Sequence, residues 1–513
     1  MNPRLRKESR ELLPALAVTI LLIVVPYAIW GKGAEHFGAV TLALGAAIMG
    51  ALTFGHETHH RTMPLLLSQP VARRTIWREK MLVLAVGLVI ASATAWLCLQ
   101  GFCSTNWQTA AMTATVAVIA LCAFCGAPTL TLLGHNAIAG AVCAICFPGA
   151  IALVDSIVIE RWFRNDRVPG LCICGCSLLL YCVPAAWIGY AKFQGLQALD
   201  GASRELALPT AVETILARPF AGISTRLNGP FVSLIKKELR LQKPTFLLTG
   251  FFCLLALGGA LLFIESKDVG AGVLAADFAI YILLIPLIAG GLSVAEERAW
   301  GIADWHLTLP PSSKRQWLAK MLVTLPVSLV LGLVLPAGLY WAGALFFAPK
   351  EERMFLQIVL AIALVQLCVT SLAIYAATFS NSTTKAILAS LALIVALCTA
   401  LMLLKPVLIT IALMLVPMLP AAWRPGSDYP TIPDWYEHQQ MLALGIRAVA
   451  LVVLACFFQW FAFSNYRQVG TSVRKYACQG AILLIIAALC VCLVNAIDLW
   501  PGWSLPQSPP FHL

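Results

Sequence analysis

Charged residues are scarce in this chain. Asp, Glu, Lys and Arg together make up 12% of its 513 residues, whereas about a quarter of the residues in soluble domains are charged. This scarcity excludes an ordinary water-soluble protein. The rest of the composition, with 60% hydrophobic residues and a mean hydropathy of +0.85, is that of a polytopic membrane protein.

A phosphate-binding loop is also missing. No stretch has the form Gly-x-x-x-x-Gly-Lys-Ser/Thr, whose backbone amides and lysine would hold the phosphates of ATP. The polar stretch from Phe193 to Pro244 is too short for an ATPase domain of ordinary size. We therefore expect this chain to carry no catalytic residues, to bind no cofactor and not to be an enzyme.

Thirteen apolar segments reach the roughly 20 residues that a membrane-spanning helix needs. The first is not a cleavable signal peptide, because it is too long and no small-x-small cleavage site follows it. The predicted spans cover residues 13–30, 38–55, 81–100, 110–133, 137–155, 170–191, 246–264, 276–295, 321–347, 356–379, 386–404, 441–463 and 477–499. The sequence thus predicts an all-α polytopic membrane protein with two sets of six spans and one extra C-terminal span.

Two polar segments 240 residues apart resemble each other. One runs from His56 to Val83 and the other from Glu296 to Val323, and they align without a gap. Eight of the 28 positions are identical: Glu57 with Glu297, Leu67 with Leu307, Pro70 with Pro310, Trp77 with Trp317, and Lys80-Met81-Leu82-Val83 with Lys320-Met321-Leu322-Val323. Each copy lies between two predicted spans, so we interpret the chain as an internal duplication.

A second recurring feature precedes the first span of each set. Residues 4–11 and 234–240 both mix charges with apolar residues, and Lys7-Glu8 matches Lys237-Glu238. This pattern suits a helix that lies in the membrane interface. We therefore predict two pseudo-symmetric halves, with the first at 1–192, a cytoplasmic linker at 193–233, the second half at 234–475, and the extra span with an outer tail at 476–513.

The distribution of Lys and Arg predicts the orientation. If the N-terminus and both polar segments are cytoplasmic, 25 of the 35 basic residues fall on that side and 8 fall outside. This bias is typical of a multi-pass protein of the plasma membrane with a cytoplasmic N-terminus. The net charge of +11 is then explained by topology and by contact with membrane lipids, so we expect no nucleic acid as a partner.

The repeated polar segment has the character of a docking surface. In the second copy Ile302, Trp305 and Leu309 follow helical spacing on one face, and Pro310 ends that helix as Pro70 ends the first. Such exposed apolar side chains suit a partner protein. The predicted docking residues are Glu57, Thr62, Leu65, Leu66, Leu67 and Pro70 in the first copy, and Glu297, Gly301, Ile302, Trp305, Leu307 and Pro310 in the second.

This arrangement resembles the permease domain of type 2 ATP-binding-cassette exporters. The resemblance rests on a basic interfacial helix, two spans, an insert of the form Glu…Gly/Thr…Leu-x-x-Pro with basic residues after it, and a third span that opens Lys-Met-Leu-Val. The closer copy is Glu297-Arg298…Gly301…Leu307-Thr308-Leu309-Pro310…Lys320, whereas Arg61 replaces the glycine in the first. The similarity covers nearly the whole chain twice, without the last span and tail.

The resemblance implies a function and a partner. In that family the insert carries a coupling helix that fits a cleft on an ATPase subunit, and re-entrant helices join the fifth and sixth spans. It therefore implies a permease that moves a substrate by alternating access, driven by a separate ATPase, with two docking helices for two ATPase copies. It also implies a re-entrant segment near residues 406–420, beside which Lys405 is the candidate for substrate contact.

Two other functions stay open. The sequence His56-Glu57-Thr58-His59-His60 matches His-Glu-x-x-His, in which two histidines bind zinc and the glutamate is the general base. An intramembrane zinc protease would use His56, His60 and Asp200 as ligands, the last in a Leu-Asp-Gly sequence like that of such proteases. The second copy keeps Glu297 but has no histidines, so we expect no metal here. The other alternative is a membrane anchor or sensor that does not transport.

Overall fold

The computed structural model of the protein describes most of the chain. The described residues are 3–30, 35–59, 62–100, 106–162, 167–196, 230–265, 267–299, 301, 312–347, 352–415, 432–468 and 473–498. Within these ranges there are sixteen α-helices, one short π-helical segment and no strand. The all-α prediction is confirmed for this part of the chain.

The helices are numbered in chain order. They are α1 (Pro3–Trp30), α2 (Glu35–His59), α3 (Met63–Leu67), α4 (Arg73–Gln100), α5 (Asn106–Gly134), α6 (Ala137–Trp162), α7 (Arg167–Gly195), α8 (Pro230–Leu241), α9 (Lys243–Glu265), α10 (Lys267–Ala299), α11 (Ser313–Leu329), α12 (Leu335–Phe347), α13 (Glu352–Ala377), α14 (Thr383–Leu415), α15 (Ile432–Tyr466) and α16 (Val473–Asp498). The π-helical segment Val330–Val334 joins α11 to α12.

Thirteen spans in the described part of the chain are long and apolar enough to cross a membrane. Helices α3 and α8 are too short, and α11 and α12 form one span together with the π-helical segment. The outer faces of the bundle carry large apolar side chains, such as Leu180 and Leu403, which are 78% and 77% exposed. Hydrocarbon is a better solvent than water for such faces. The prediction of a multi-pass membrane protein is confirmed, with thirteen candidate spans in the described part of the chain.

Helix α2 lies at the centre of the first six spans, and α10 has the same position among the next six. Helix α2 packs against α1, α4, α5 and α6, while α10 packs against α9, α11, α13 and α14. Both central helices approach a neighbour closely at a glycine. A Cβ atom on Gly50 would lie 2.5 Å from Cβ of Ala127, and one on Gly290 would lie 2.6 Å from Cβ of Ala373. These two crossings tolerate no side chain.

The two sets of spans meet along reciprocal contacts. Helix α1 packs against α14, and α6 packs against α9, so the first span of each set contacts the fifth of the other. A single apolar core extends across this junction and includes Met49 on α2 and Ile285 on α10, both fully buried. The junction is therefore closed by hydrophobic packing in this conformation.

The two charged stretches predicted as interfacial helices differ from each other. Residues 230–241 form the separate helix α8, whereas residues 4–11 are the first turns of the span α1. Helix α8 ends at Leu241. The side chain of the next residue, Gln242, donates from Nε2 to the carbonyl oxygen of Ala289 and accepts at Oε1 a hydrogen bond from Thr245 Oγ1. The aligned residues 230 positions earlier are Leu12 and Ala15. They cannot make these bonds, so the helix continues.

The thirteenth span, α16, is attached by buried polar groups. It packs against α14 and α15. Asn465 Nδ2 donates to Gln479 Oε1 and Gln479 Nε2 donates to Asn465 Oδ1, both at 3.1 Å. The hydroxyl group of Tyr375 donates to Gln479 Oε1 as well. Because buried polar groups need such partners in a membrane, this three-residue clamp fixes the position of α16.

Candidate functional site

The predicted docking segment of the first copy contains the short helix α3. We call the side of the bundle where α1 begins and α2 ends the N-terminal side, and α3 lies there between α2 and α4. Met63 and Leu66 are buried in a cluster with Phe54, Phe193 and Ile76. These contacts hold α3 against the ends of the spans.

The local sequence explains why α3 is short. The amide of Thr62 donates to the carbonyl oxygen of Glu57, which turns the chain out of α2. Pro64 occupies the first turn of α3, where its missing amide hydrogen costs nothing. Ser68 ends the helix by donating its amide to the carbonyl oxygen of Pro64, and Pro70 follows two residues later.

The predicted docking residues of the first copy have different environments. Leu65 is 68% exposed, and Pro70 is exposed as well, so both are available to a partner. Thr62 and Leu67 are half-buried. Leu66 is buried under the helix, where it anchors α3 in this conformation.

Aromatic side chains brace the start of the third span in each set. Trp77 lies 6.0 Å from Tyr190 and 5.6 Å from Phe193, measured between ring centroids. Trp317 lies 5.7 Å from Phe463 and 5.4 Å from Tyr466. Trp77 and Trp317 are aligned in the repeat. The sixth span of each set therefore contacts the third through an equivalent aromatic box.

A buried lysine lies directly beside the docking segment. Lys80 on α4 is 1% exposed, and its ammonium nitrogen lies 2.6 Å from a carboxylate oxygen of Glu8 and 2.6 Å from one of Glu57. It also donates to the carbonyl oxygen of Thr53 at 3.0 Å. We call Glu8, Glu57 and Lys80 the first charge triad, and it joins α1, α2 and α4.

The same arrangement occurs again in the second set. Lys320 on α11 is 2% exposed, and its ammonium nitrogen lies 2.9 Å from Glu238 and 2.9 Å from Glu297. It donates to the carbonyl oxygen of Ser293 at 2.7 Å. We call Glu238, Glu297 and Lys320 the second charge triad, and it joins α8, α10 and α11.

Every member of one triad has its aligned counterpart in the other. Glu57 and Lys80 lie 240 positions before Glu297 and Lys320, as Thr53 does before Ser293. Glu8 lies 230 positions before Glu238. Sequence reasoning aligned these residues but treated both lysines as ordinary basic residues at the membrane boundary. The constant spacing between glutamate and lysine was the signal that could have identified the pairs.

Glu57 and Glu297 were predicted to be docking residues, and both are buried in this conformation. They lie in the spans α2 and α10 and are only 1% and 2% exposed. Each carboxylate is bonded to the lysine of its triad. Both therefore lie inside the bundle, where they link α2 to α4 and α10 to α11.

The second triad has an additional cation. The ammonium group of Lys237 on α8 also contacts Glu297, so two lysines face two carboxylates. Burial raises the pKa of Glu238, which the nearby Lys320 ammonium opposes. Buried ions of opposite charge are stable only as a complete set. Each triad therefore fastens its three helices together.

Most of the second docking segment lies outside the described residues. Ile302, Trp305, Leu307 and Pro310 belong to this group. Gly301 is described and exposed, and its φ of 68° is in the left-handed region that favours glycine. Its amide donates to the carbonyl oxygen of Arg298, so the chain turns sharply after α10.

The surroundings of Glu57 differ from those that a zinc protease needs. Its carboxylate is the ion-pair partner of Lys80, whereas a general base must be free to take a proton. His56 Nδ1 lies 3.6 Å from Glu11 Oε2, and His60 and Asp200 lie outside the described residues. Among the described side chains, one possible ligand oxygen each from Glu8, Glu11 and Glu57 lies within 4.8 Å of the others. Lys80 already supplies a counter-charge to two of these three.

The proposed re-entrant segment is only partly described. Helix α14 continues through Pro406 to Leu415 without a break at the proline, and residues 416–431 lie outside the described ranges. Lys405, the candidate for substrate contact, lies within this helix, and its side chain is among those not described.

Comparison with known proteins adds no assignment. No family model matches the sequence, and no curated protein matches it significantly.

Proposed function

We propose that this chain is the membrane-spanning permease component of an ATP-driven exporter, which moves a substrate across the plasma membrane by alternating access. The observation that carries the proposal is the charge triad that occurs twice, each time at the end of a span that is followed in the sequence by a segment that resembles a coupling helix. A separate ATPase subunit would supply the energy, because the chain has no phosphate-binding loop.

The proposal includes two related six-span halves followed by one extra span. Three kinds of contact at aligned positions support it: the charge triads, the aromatic boxes around Trp77 and Trp317, and the close crossings at Gly50 and Gly290. A duplicated permease has two docking segments, so we expect two copies of the ATPase. The excess of basic residues on the N-terminal side supports a cytoplasmic location of that side, where the ATPase would bind.

The docking segment is mechanically connected to the triad. Glu57 lies near the end of α2 and Lys80 lies in the third turn of α4, with α3 between them. A partner that displaces α3 would move α2 and α4 together, and α1 would follow through Glu8. ATP can bias such a movement only if α3 binds the ATPase differently in the two states of the permease.

The experiment is affinity purification of the full chain from its native membrane in mild detergent, with identification of the proteins that copurify. We expect an ATPase with a phosphate-binding loop. In the variant Leu65→Asp this ATPase should be lost. The exposed leucine of α3 is then replaced by a charged carboxylate, which is unfavourable in an apolar contact.

The matched control is Asn381→Asp, which places a carboxylate in another exposed turn on the N-terminal side. It should keep the ATPase, and both variants should reach the membrane in wild-type amounts. Recovery of the ATPase with Leu65→Asp at the wild-type level would remove the docking role from α3. Purification of the wild-type chain without an ATPase would favour the anchor or sensor alternative.

A further inference from the structure

Asp277 is an acid inside the membrane-spanning part of α10. It lies ten residues after Lys267, where the helix begins on the side opposite the N-terminal side. Helix α10 has 33 residues and is therefore about 50 Å long, compared with a hydrocarbon thickness of about 30 Å, so Asp277 lies towards the end of the span that is opposite the N-terminal side. An ionisable group enclosed by a span is costly and calls for a partner.

The described surroundings of Asp277 offer no such partner. Its Oδ2 atom is enclosed and has no hydrogen-bond partner among the described residues. Neighbouring titratable groups are the thiols of Cys146 on α6 and Cys253 on α9 and the phenol of Tyr281. The Tyr281 hydroxyl already bonds to Thr249 Oγ1 at 3.0 Å and to the carbonyl oxygen of Leu331 at 2.9 Å.

The position of Asp277 is the junction between the two sets of spans. Helix α6 belongs to the first set, and α9 and α10 belong to the second. Phe147 on α6 contacts Phe251 on α9 with ring centroids 5.6 Å apart. An exporter with two halves would carry its substrate along this junction.

Aromatic rings accompany the carboxylate. Phe252 stacks on Tyr281 with centroids 3.8 Å apart, and it meets Phe278 edge to face at 5.1 Å. Aromatic faces attract organic cations and also bind apolar surfaces. An unpaired carboxylate beside such rings suits a ligand with a positive charge on an apolar body.

Two comparisons within the chain distinguish Asp277. Asp155 on α6 is also an acid in a span, but it accepts a hydrogen bond from Ser177 Oγ at 2.7 Å. The residue 240 positions before Asp277 is Phe37, so the other copy of the repeat has an apolar side chain at this position.

We propose that Asp277 binds the positively charged group of a lipophilic organic cation, which lies between α6, α9 and α10 against the aromatic rings. The proposal rests on the exporter function and names the substrate class for it. The ligand would replace the missing partner of the carboxylate. Its apolar body would lie against the half-buried Phe278, because Phe252 and Tyr281 are each only 2% exposed.

The experiment measures binding of tetraphenylphosphonium to the purified full chain in phosphatidylcholine nanodiscs, with empty nanodiscs as the blank. Saturable binding is expected for the wild type. Asp277→Asn should weaken it about tenfold or more, because the charge interaction is lost in a medium that screens poorly. Tetraphenylborate, which has the same shape and the opposite charge, should not show this loss.

Two variants control for structural damage. Asp155→Asn should bind tetraphenylphosphonium like the wild type, and Asp277→Glu should retain most of the affinity because the charge is kept. Unchanged affinity in Asp277→Asn would overturn the proposal, as would an equal loss in Asp277→Glu or the absence of saturable binding to the wild type. The assay contains no ATPase and no ATP, so its result is independent of whether an ATPase copurifies.

Discussion

The ammonium group of Lys80 and the carboxylate of Glu57 lie 2.6 Å apart, and each side chain is only 1% exposed. The aligned Lys320 and Glu297 lie 2.9 Å apart in the second set. Burial of two ion pairs at equivalent positions of a repeat costs free energy. A chain in which only 12% of the residues are charged does not need such pairs for membrane insertion. We therefore regard them as the connection between the docking segments and the spans.

Lys80→Met tests the first charge triad. The substitution leaves Glu8 and Glu57 buried without their cation, so it should lower the free energy of unfolding by about 3–5 kcal/mol. Thermal melting in detergent measures the effect. Replacement of all three residues by Met should recover much of the loss, because no buried charge then remains. A triple variant as unstable as Lys80→Met would contradict this explanation.

Lys320→Met tests whether the second charge triad contributes as much to stability as the first. It should reduce the melting temperature, but less than Lys80→Met, because Lys237 still faces Glu297. Arg74→Met is the control, since Arg74 is exposed at the start of α4 and its removal should have little effect. A larger loss in Lys320→Met than in Lys80→Met would show that the additional lysine does not compensate.

Gly301→Ala tests the turn after α10. The left-handed φ of 68° should make alanine unfavourable by about 1 kcal/mol, and the turn should weaken. Gly250→Ala is a matched control, because a Cβ atom meets nothing within 4 Å at either glycine. Gly250 lies within α9, so alanine should be neutral or stabilising there. Equal melting temperatures of the two variants would contradict the predicted strain.

Gln479→Leu tests the attachment of the thirteenth span. The variant leaves Asn465 and Tyr375 without their partner, at a cost of about 1–2 kcal/mol. Helix α16 should then separate more often from α14, and maleimide should modify the buried Cys492 faster, as measured by mass spectrometry of the peptides. Cys478 is already exposed and serves as the internal control. An unchanged rate at Cys492 would contradict the role of the clamp.

The sequence predicted the spans well because the physical signal for them is strong. A helix such as α6 must satisfy its backbone internally and expose apolar side chains to lipid, so long apolar runs identify it. The sequence did not show that α8 is a separate helix whereas residues 4–11 continue into the span α1. The difference depends on two hydrogen bonds made by Gln242. The π-helical segment Val330–Val334 has no comparable sequence signal.

The candidate site was predicted only in part. The docking segment and the recurrence of Glu57 and Glu297 were visible in the sequence, but the burial of Lys80 and Lys320 was not. Lysine is almost never fully buried unless it is paired, so a basic residue near a membrane boundary is ordinarily assigned to the surface. The pairing joins residues 23 and 72 positions apart, which local periodicity cannot show.

The measurement that tests the central claim most directly is the mass of the intact complex after purification in mild detergent, by native mass spectrometry. We predict one copy of this chain with two copies of an ATPase subunit that contains a phosphate-binding loop. One or both ATPase copies should dissociate when Leu65 is replaced by Asp. A mass that corresponds to this chain alone, or to complexes without an ATPase, would contradict the account.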